Sequence, residues 1–300
     1  MHHAQVEVVA DSISTSGKRI TTFKARYWRG IHSELMTHRS LSKCAGSSRA
    51  RPSQAIIDQV ESNPWGPLEF GANQGGMQAG ALFEGDQLKR AEMEWKIAAI
   101  CAAKNAQVMA DLGLHKQVVN RVLEPYTYID VVITGTEFNN LFALRIHEAA
   151  DPTIRDLVVR MKAARDNSTP KLLGPDDWHL PFIQEDDYTI ARGYLKNDGQ
   201  LPSKHELDAL LIKISVARCA RTSYRAFGGS VQPIEKDLEL YGKLVGSQPL
   251  HATPAEHQAQ PDTFRNEGDN DDGWLEQSLH GNFVGWKQYR KMLPNEHVPG

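Results

Sequence analysis

Cysteine is scarce in this chain: three in 300 residues, Cys44, Cys101 and Cys219, with no Cys-x-x-Cys pair among them. An odd number so widely spaced supports neither a disulfide framework nor a zinc site, so no metal is expected and a reducing cytoplasm fits best. Long apolar runs are also missing. No stretch approaches the roughly 20 residues that cross a bilayer, and Met1, His2 and His3 do not open a basic region followed by an apolar core. The expectation is therefore a cytoplasmic chain without a membrane partner. Nor is charge of one sign in excess: 34 Lys and Arg face 37 Asp and Glu, a net charge of -3. That balance argues against a surface built to hold nucleic acid, so any phosphate site must be local. No repeat of solenoid period is visible. With 40% apolar and 24% charged residues, what remains is ordinary globular material, enough for one large domain or two small ones.

Ile20 to Trp28 alternates in the manner of a strand, and after Gly30 the spacing of Ile31 and Leu35 predicts a short helix with Glu34 and His38 on a neighbouring face. A hydroxyl-rich loop follows at Ser47, Ser48 and Arg49, and Pro52 is expected to limit further regular structure. Gln87 to Leu112 carries the strongest helix signal, with Asp86 as a cap and Gly113 as a stop. A second helix, His115 to Leu123, is expected to turn Val118, Val119 and Val122 inward and to close at Pro125. Tyr126 to Val132 reads as β, the segment with Phe138, Leu141, Phe142 and Leu144 as helix, and Asp151 with Pro152 as the start of another. Asn167 to Asp187 reads as a long loop, Ser203 with Glu206 as a capping box, and Asp262 to Asp272 as a mobile acidic insertion. This alternation predicts an α+β protein with a mixed sheet and packed helices.

The densest chemistry lies in "THRSLSKCAGSSRARP", Thr37 to Pro52. Guanidinium groups and serine hydroxyls are the donors a phosphate requires, and a backbone turning through Ala45 and Gly46 can bring amides close as well. An anion site is one reading; a solvated basic loop is the other. Cys44, beside Lys43 and near Arg39, could carry a lowered pKa and act as a nucleophile, or simply be a small buried residue.

At this point the chain resembles the flavin-dependent thymidylate synthases. "HRSLSKCAGSSRA" is similar to that family's signature: a His-Arg pair, a serine three residues after the Arg, and a Ser-x-Arg pair. By that resemblance His38 and Arg39 contact the flavin, while Ser47 and Arg49 hold the nucleotide phosphate. "NRVLEPYTYIDVVITGTEFNNLFALR", Asn120 to Arg145, resembles the family's later helix, strand and helix. There Arg121 matches a phosphate-binding arginine, Asn140 a flavin contact, and Arg145 the catalytic arginine that polarises the pyrimidine. "SVARCARTSY" (Ser215 to Tyr224) and "HATPAEH" (His251 to His257) resemble segments that open ordinary members, with Ser223 and Thr253 as flavin-contacting hydroxyls. Here they come last, so the resemblance implies a fold in circularly permuted order. Either "GNFVGWKQYRK" near the end or Phe23 to His38 fills the slot before the His-Arg motif.

The resemblance implies one catalytic domain, residues 1-300, with insertions at 66-85, 166-187 and 258-276. It implies FAD as cofactor, NADPH and methylenetetrahydrofolate as co-substrates, and a homotetramer with shared active sites acting on a deoxynucleoside monophosphate. Conversion of dUMP to dTMP is the first expectation. Several positions depart from the pattern: Thr37, Cys44, Ala50 and Glu34 replace an arginine, an asparagine, an aromatic and a nucleotide-contacting glutamine. A carboxylate at Glu34 accepts from an exocyclic amine and repels a uracil carbonyl, so dCMP hydroxymethylation or methylation stands beside the first reading. A non-enzymatic nucleotide-binding module is the third, although the arginine cluster lacks the interleaved aromatics of a base-stacking surface.

Overall fold

In the computed structural model, residues 2-196, 200-221, 233-247, 250-265, 273-294 and 296-297 are described. Strand β1 (Gln5–Ser14) turns through Gly17, at φ +79°, into β2 (Arg19–Trp28), and α1 (His32–Met36) follows. Next come β3 (Ser42–Ala45), α2 (Ser53–Ser62), α3 (Gly85–Asp111), α4 (Lys116–Leu123), β4 (Tyr128–Gly135), α5 (Asn139–Arg145) and α6 (Pro152–Asp166). The remainder is β5 (Lys171–Leu173), α7 (Glu185–Leu195), α8 (Lys204–Ala220), α9 (Ile234–Val245), β6 (Ala259–Pro261), β7 (Phe264–Arg265), β8 (Gly273–Trp274), β9 (Trp286–Gln288) and α10 (Tyr289–Met292).

The main sheet runs β3-β4-β2-β1-β5, antiparallel except where β5 lies parallel to β1. It is mixed, and the fold is α+β as expected. Period-two alternation explains its two faces. Phe23, Ala25 and Tyr27 of β2, with Ile129, Val131 and Ile133 of β4, meet Leu35, Leu141, Ile154, Leu157, Val158 and Met161 from the helices. The other side carries Ser12, Thr22 and Thr134, all buried, and these need polar partners. His179 provides two, bonding Ser12 Oγ through Nδ1 at 2.9 Å and Thr22 Oγ1 through Nε2 at 2.8 Å. Thr22 meets Thr134 at 2.7 Å, and Thr134 meets His257 Nδ1 at 2.8 Å. Burial pushes both imidazoles down to about 3, so they are neutral links in this chain.

Two further clusters flank the sheet. One joins α2, α3 and α4 through Ile56, Ile57, Val60, Ala99, Ala103, Ala106, Val119 and Leu123; the other joins α7, α8 and α9 around Leu211, Ile214 and Ile234. Local signals are met where expected: Asp151 Oδ1 accepts from the Thr153 and Ile154 amides, and Ser203 with Glu206 forms its capping box.

Several expectations are corrected. Pro52 begins a helix instead of ending one, because at the N-cap of α2 no intrahelical amide is required of it. Val118 and Val122 are exposed and Val119 and Leu123 are the inward pair, since α2 and α3 both pack on that side of α4. The segment 167-187 is no simple loop; it contributes β5 to the sheet and His179 and Leu180 to the interior. Asp262 is buried, its carboxylate 2.8 Å from His280 Nε2, whereas 266-272 lie outside the described residues. Of the two segments proposed for the slot before the His-Arg motif, Phe23 to His38 adjoins it as β2 and α1, while "GNFVGWKQYRK" forms β9 in a separate two-stranded pair.

Candidate functional site

Arg145 ends α5, and α1 lies across from it. The guanidinium is fixed on all three nitrogens: Nη1 donates to Glu34 Oε2 at 2.9 Å, Nε to His38 Nε2 at 3.0 Å, and Nη2 to Thr37 Oγ1 at 3.4 Å. Thr37 can accept because its own proton goes to the Glu34 carbonyl at 2.7 Å. His38 must be neutral with Nε2 unprotonated to accept from Arg145. Its environment agrees: burial first, then the charges of Arg145 and Lys43, hold its pKa below the usual value. Lys43 bonds the His38 and Leu41 carbonyls, and burial draws its ammonium down to about 8 against the upward pull of Glu256. Glu34, Thr37, His38 and Arg145 thus converge into one partly open cluster.

A second cluster forms beyond the far end of β3, one strand length or roughly 10 Å further along. There the 3-10 turn Ser48–Ala50 meets the C-terminus of α4 and the turn Glu124–Tyr126. Ser48 Oγ donates to Glu124 Oε1 at 2.6 Å; Arg29 Nη2 and Arg121 Nη1 each reach the same oxygen at 3.2 Å. Asn120 Nδ2 fastens the turn by donating to the Ser48 carbonyl at 2.8 Å and the Arg51 carbonyl at 3.1 Å, while its buried Oδ1 has no partner. Beside it, Arg26 clamps Asp130 at 2.7 and 2.8 Å, and Arg26 and Arg51 both approach the Tyr128 ring. The space lined by Arg29, Ser48, Arg51, Asn120, Tyr128 and Asp130 is about 20 Å³, room for one water and no nucleotide. A ligand would have to lie on the open rim, where Ser47, Arg49 and Arg121 are exposed.

The other residues singled out from sequence are placed as follows. Arg39 is exposed in the turn after α1, and Asn140 is exposed in the first turn of α5. Thr253 is exposed at the head of the turn Thr253–Glu256, which packs against β3. Ser223 lies outside the described residues. The nucleophilic reading of Cys44 is overturned: burial pushes its thiol up to about 12, Glu256 adds to the effect, and Lys43 beside it is directed at backbone carbonyls. Among the described residues no group of three or more His, Cys, Asp and Glu could hold a metal, and no helix is long and apolar enough to cross a membrane.

Sequence reasoning missed Arg29 and Glu124, and marked Ser48 only as one hydroxyl of the loop. The i,i+3 spacing of Arg121 and Glu124 was a usable signal for that pair; nothing in the primary structure announces Arg29, which arrives from the end of β2.

No protein-family model and no curated protein matches this chain. Among solved structures it is similar to a UMP/dUMP methylase PolB from Streptomyces cacaoi bound with 5-Br UMP, at 17% identity and TM-score 0.43, covering 55% of this chain and 89% of that one. The same enzyme bound with 5-Br dUMP gives 18% identity and TM-score 0.41 over 54% of this chain and 89% of that chain. Thymidylate Synthase X (ThyX) from Helicobacter pylori with FAD and dUMP gives 18% identity and TM-score 0.33 over 49% and 67%. These are remote, partial likenesses and carry no argument about site or reaction.

Proposed function

We propose that this chain is a flavin-dependent enzyme that transfers a one-carbon unit from methylenetetrahydrofolate to C5 of a deoxypyrimidine nucleoside monophosphate, dUMP to dTMP first. The observation that carries the reading is the meeting of Arg145 with Glu34 and His38, brought from two segments more than a hundred positions apart. Those are the segments that resemble the thymidylate synthase motifs. A guanidinium held along one edge by a carboxylate and a neutral imidazole is oriented in advance to stabilise negative charge developing on a pyrimidine. In this reading Arg145 is the catalytic group, Glu34 and His38 fix its plane, and Ser47, Arg49 and Arg121 receive the phosphate.

In this reading Arg39, Asn140 and Thr253, all exposed side chains with donor groups, would hold FAD; His38, buried against Arg145, is assigned to positioning. When bound, flavin supplies the reducing equivalents, replenished by NADPH. The protein's own part is to bind, orient and exclude water. Purified protein incubated with flavin, NADPH, the folate and dUMP should yield dTMP by mass spectrometry; a colourless protein that takes up no flavin would refute the reading.

One observation favours a second substrate. The Glu34 carboxylate sits on the very guanidinium assigned to the base, and a carboxylate there would accept from an exocyclic amine, so dCMP hydroxymethylation or methylation is to be assayed in parallel.

A homotetramer with shared sites belongs to the same proposal. Helix α3 is 27 residues long, yet Ala99, Ala103 and Ala106 are its buried residues. Its opposite side exposes Met93, Ile97, Ile100 and Val108, a stripe suited to copies of the chain. Light scattering should give more than one chain per particle, and Ile97→Glu should lower that number.

A further inference from the structure

The Glu124 carboxylate stands where a carboxylate is not favoured. It caps the C-terminus of α4, the negative end of the helix dipole, and is one-fifth exposed. What holds it there is the donor set of Ser48, Arg29 and Arg121, drawn from three elements. Two of these donors have an anchor of their own, whereas Arg121 is bonded to Glu124 alone among the described contacts. Ser48 is fixed through its carbonyl by Asn120, and Arg29 Nη1 donates to the Gly46 carbonyl at 3.3 Å. Arg49 and Arg51 add two more cations on the same turn, while nearby Asp130 is already clamped by Arg26. The crowding registers at Arg29, whose pKa is lowered by burial and by Arg121 and Arg51, with Glu124 opposing. Without Glu124 this would be a preformed oxyanion cradle of one hydroxyl and several guanidiniums.

We infer that Glu124 is an intramolecular stand-in for a phosphate, occupying the donors of Ser48, Arg29 and Arg121 until a phosphomonoester dianion displaces it. The inference rests on the nucleotide reading above for the identity of that dianion, and adds to it a residue that sets phosphate affinity. A dianion offers three oxygens and a second charge where the carboxylate offers two oxygens and one. A neutral nucleoside does not compete for these donors, so Glu124 lowers affinity for the phosphorylated ligand and leaves the unphosphorylated one unaffected. The displaced side chain turns to solvent from a partly exposed position.

Calorimetric titration of the whole chain and of Glu124→Gln with inorganic phosphate, dUMP, dCMP and deoxyuridine tests this. The isosteric amide removes the competing charge, so phosphate and nucleotide should bind about tenfold tighter or more, the size of one charge-assisted bond no longer contested. Deoxyuridine should not change. Glu124→Ala should shift affinity in the same direction, and circular dichroism shows whether each variant is folded. Equal or weaker phosphate binding by a folded Glu124→Gln protein would overturn the stand-in role while leaving the nucleotide reading intact if both proteins still bind dUMP or dCMP. Tighter phosphate binding with no nucleotide bound by either protein would keep the stand-in and sink the nucleotide reading. Uptake of neither ligand by either protein would overturn both.

Discussion

Arg145→Ala separates catalysis from stability, because the geometry gives the two effects different sizes. The ion pair with Glu34 is partly open, the side chains being 22% and 38% exposed, so the carboxylate it leaves behind is rehydrated at little cost. Discounted for solvent, the pair is worth about 1 kcal/mol or less, which for a chain of this length lowers Tm by only about 2 °C. Loss of a preorganised charged donor from a transition state costs far more, about 3 to 4 kcal/mol or two to three powers of ten in kcat. Single-turnover rates with dUMP and dCMP, read beside a thermal melt and the bound-flavin spectrum, distinguish these effects. The expected result is a rate lost by at least about a hundredfold, a nearly unchanged melt and retained flavin. A variant with normal turnover would remove Arg145 from catalysis. A large fall in Tm that accounts for the lost activity would make the residue structural.

Further outcomes follow from burial and charge. In the native chain the exposed Cys101 should react fastest with a thiol reagent, Cys44 being half-buried and Cys219 buried, both with raised pKa, and Cys44→Ser should leave kcat unchanged. Because His179 and His257 titrate near 3 when folded and near 6.5 when unfolded, the unfolded chain binds more protons between those values. Their penalty is absent above about pH 6.5 and grows by about 1.4 kcal/mol per pH unit per histidine as pH falls; denaturant midpoints should drop steeply from pH 6 to 4, and a flat profile would refute the burial argument. Arg218→Ala should destabilise by about 3 to 5 kcal/mol, since it removes the buried guanidinium shared by Asp187 and Asp237, leaving Asp237 to Arg221 and Asp187 to the Gln184 amide, and frees the Phe182 carbonyl, whose residue holds φ of 64°. Urea unfolding reads this directly, and a loss below about 1 kcal/mol would show that solvent reaches the pair.

The Arg218 motif illustrates how much was legible beforehand. "SVARCARTSY" was singled out for a hydroxyl at Ser223, outside the described residues, while the arginine within it ties α7, α8 and α9 together. The His-Arg motif was legible as a cluster, yet its guanidinium at Arg39 is exposed and its imidazole is turned to Arg145. The basic loop was legible as a concentration of donors, but not that the chain brings its own carboxylate, Glu124, to them.

Helix starts at Asp151 and Ser203, the long α3 and the β2 alternation are properties of a few neighbouring residues, and caps and periodicity act over such distances. Amino-acid order alone was enough for those. Which valines of α4 turn inward, that 171-173 completes a sheet, that His179 satisfies hydroxyls on β1 and β2, and that Arg145 lies against Glu34 all depend on pairs separated by tens to hundreds of positions. Packing settled these, because a buried polar group or a charge takes whichever partner the folded chain brings within bonding distance, and no local pattern records that choice.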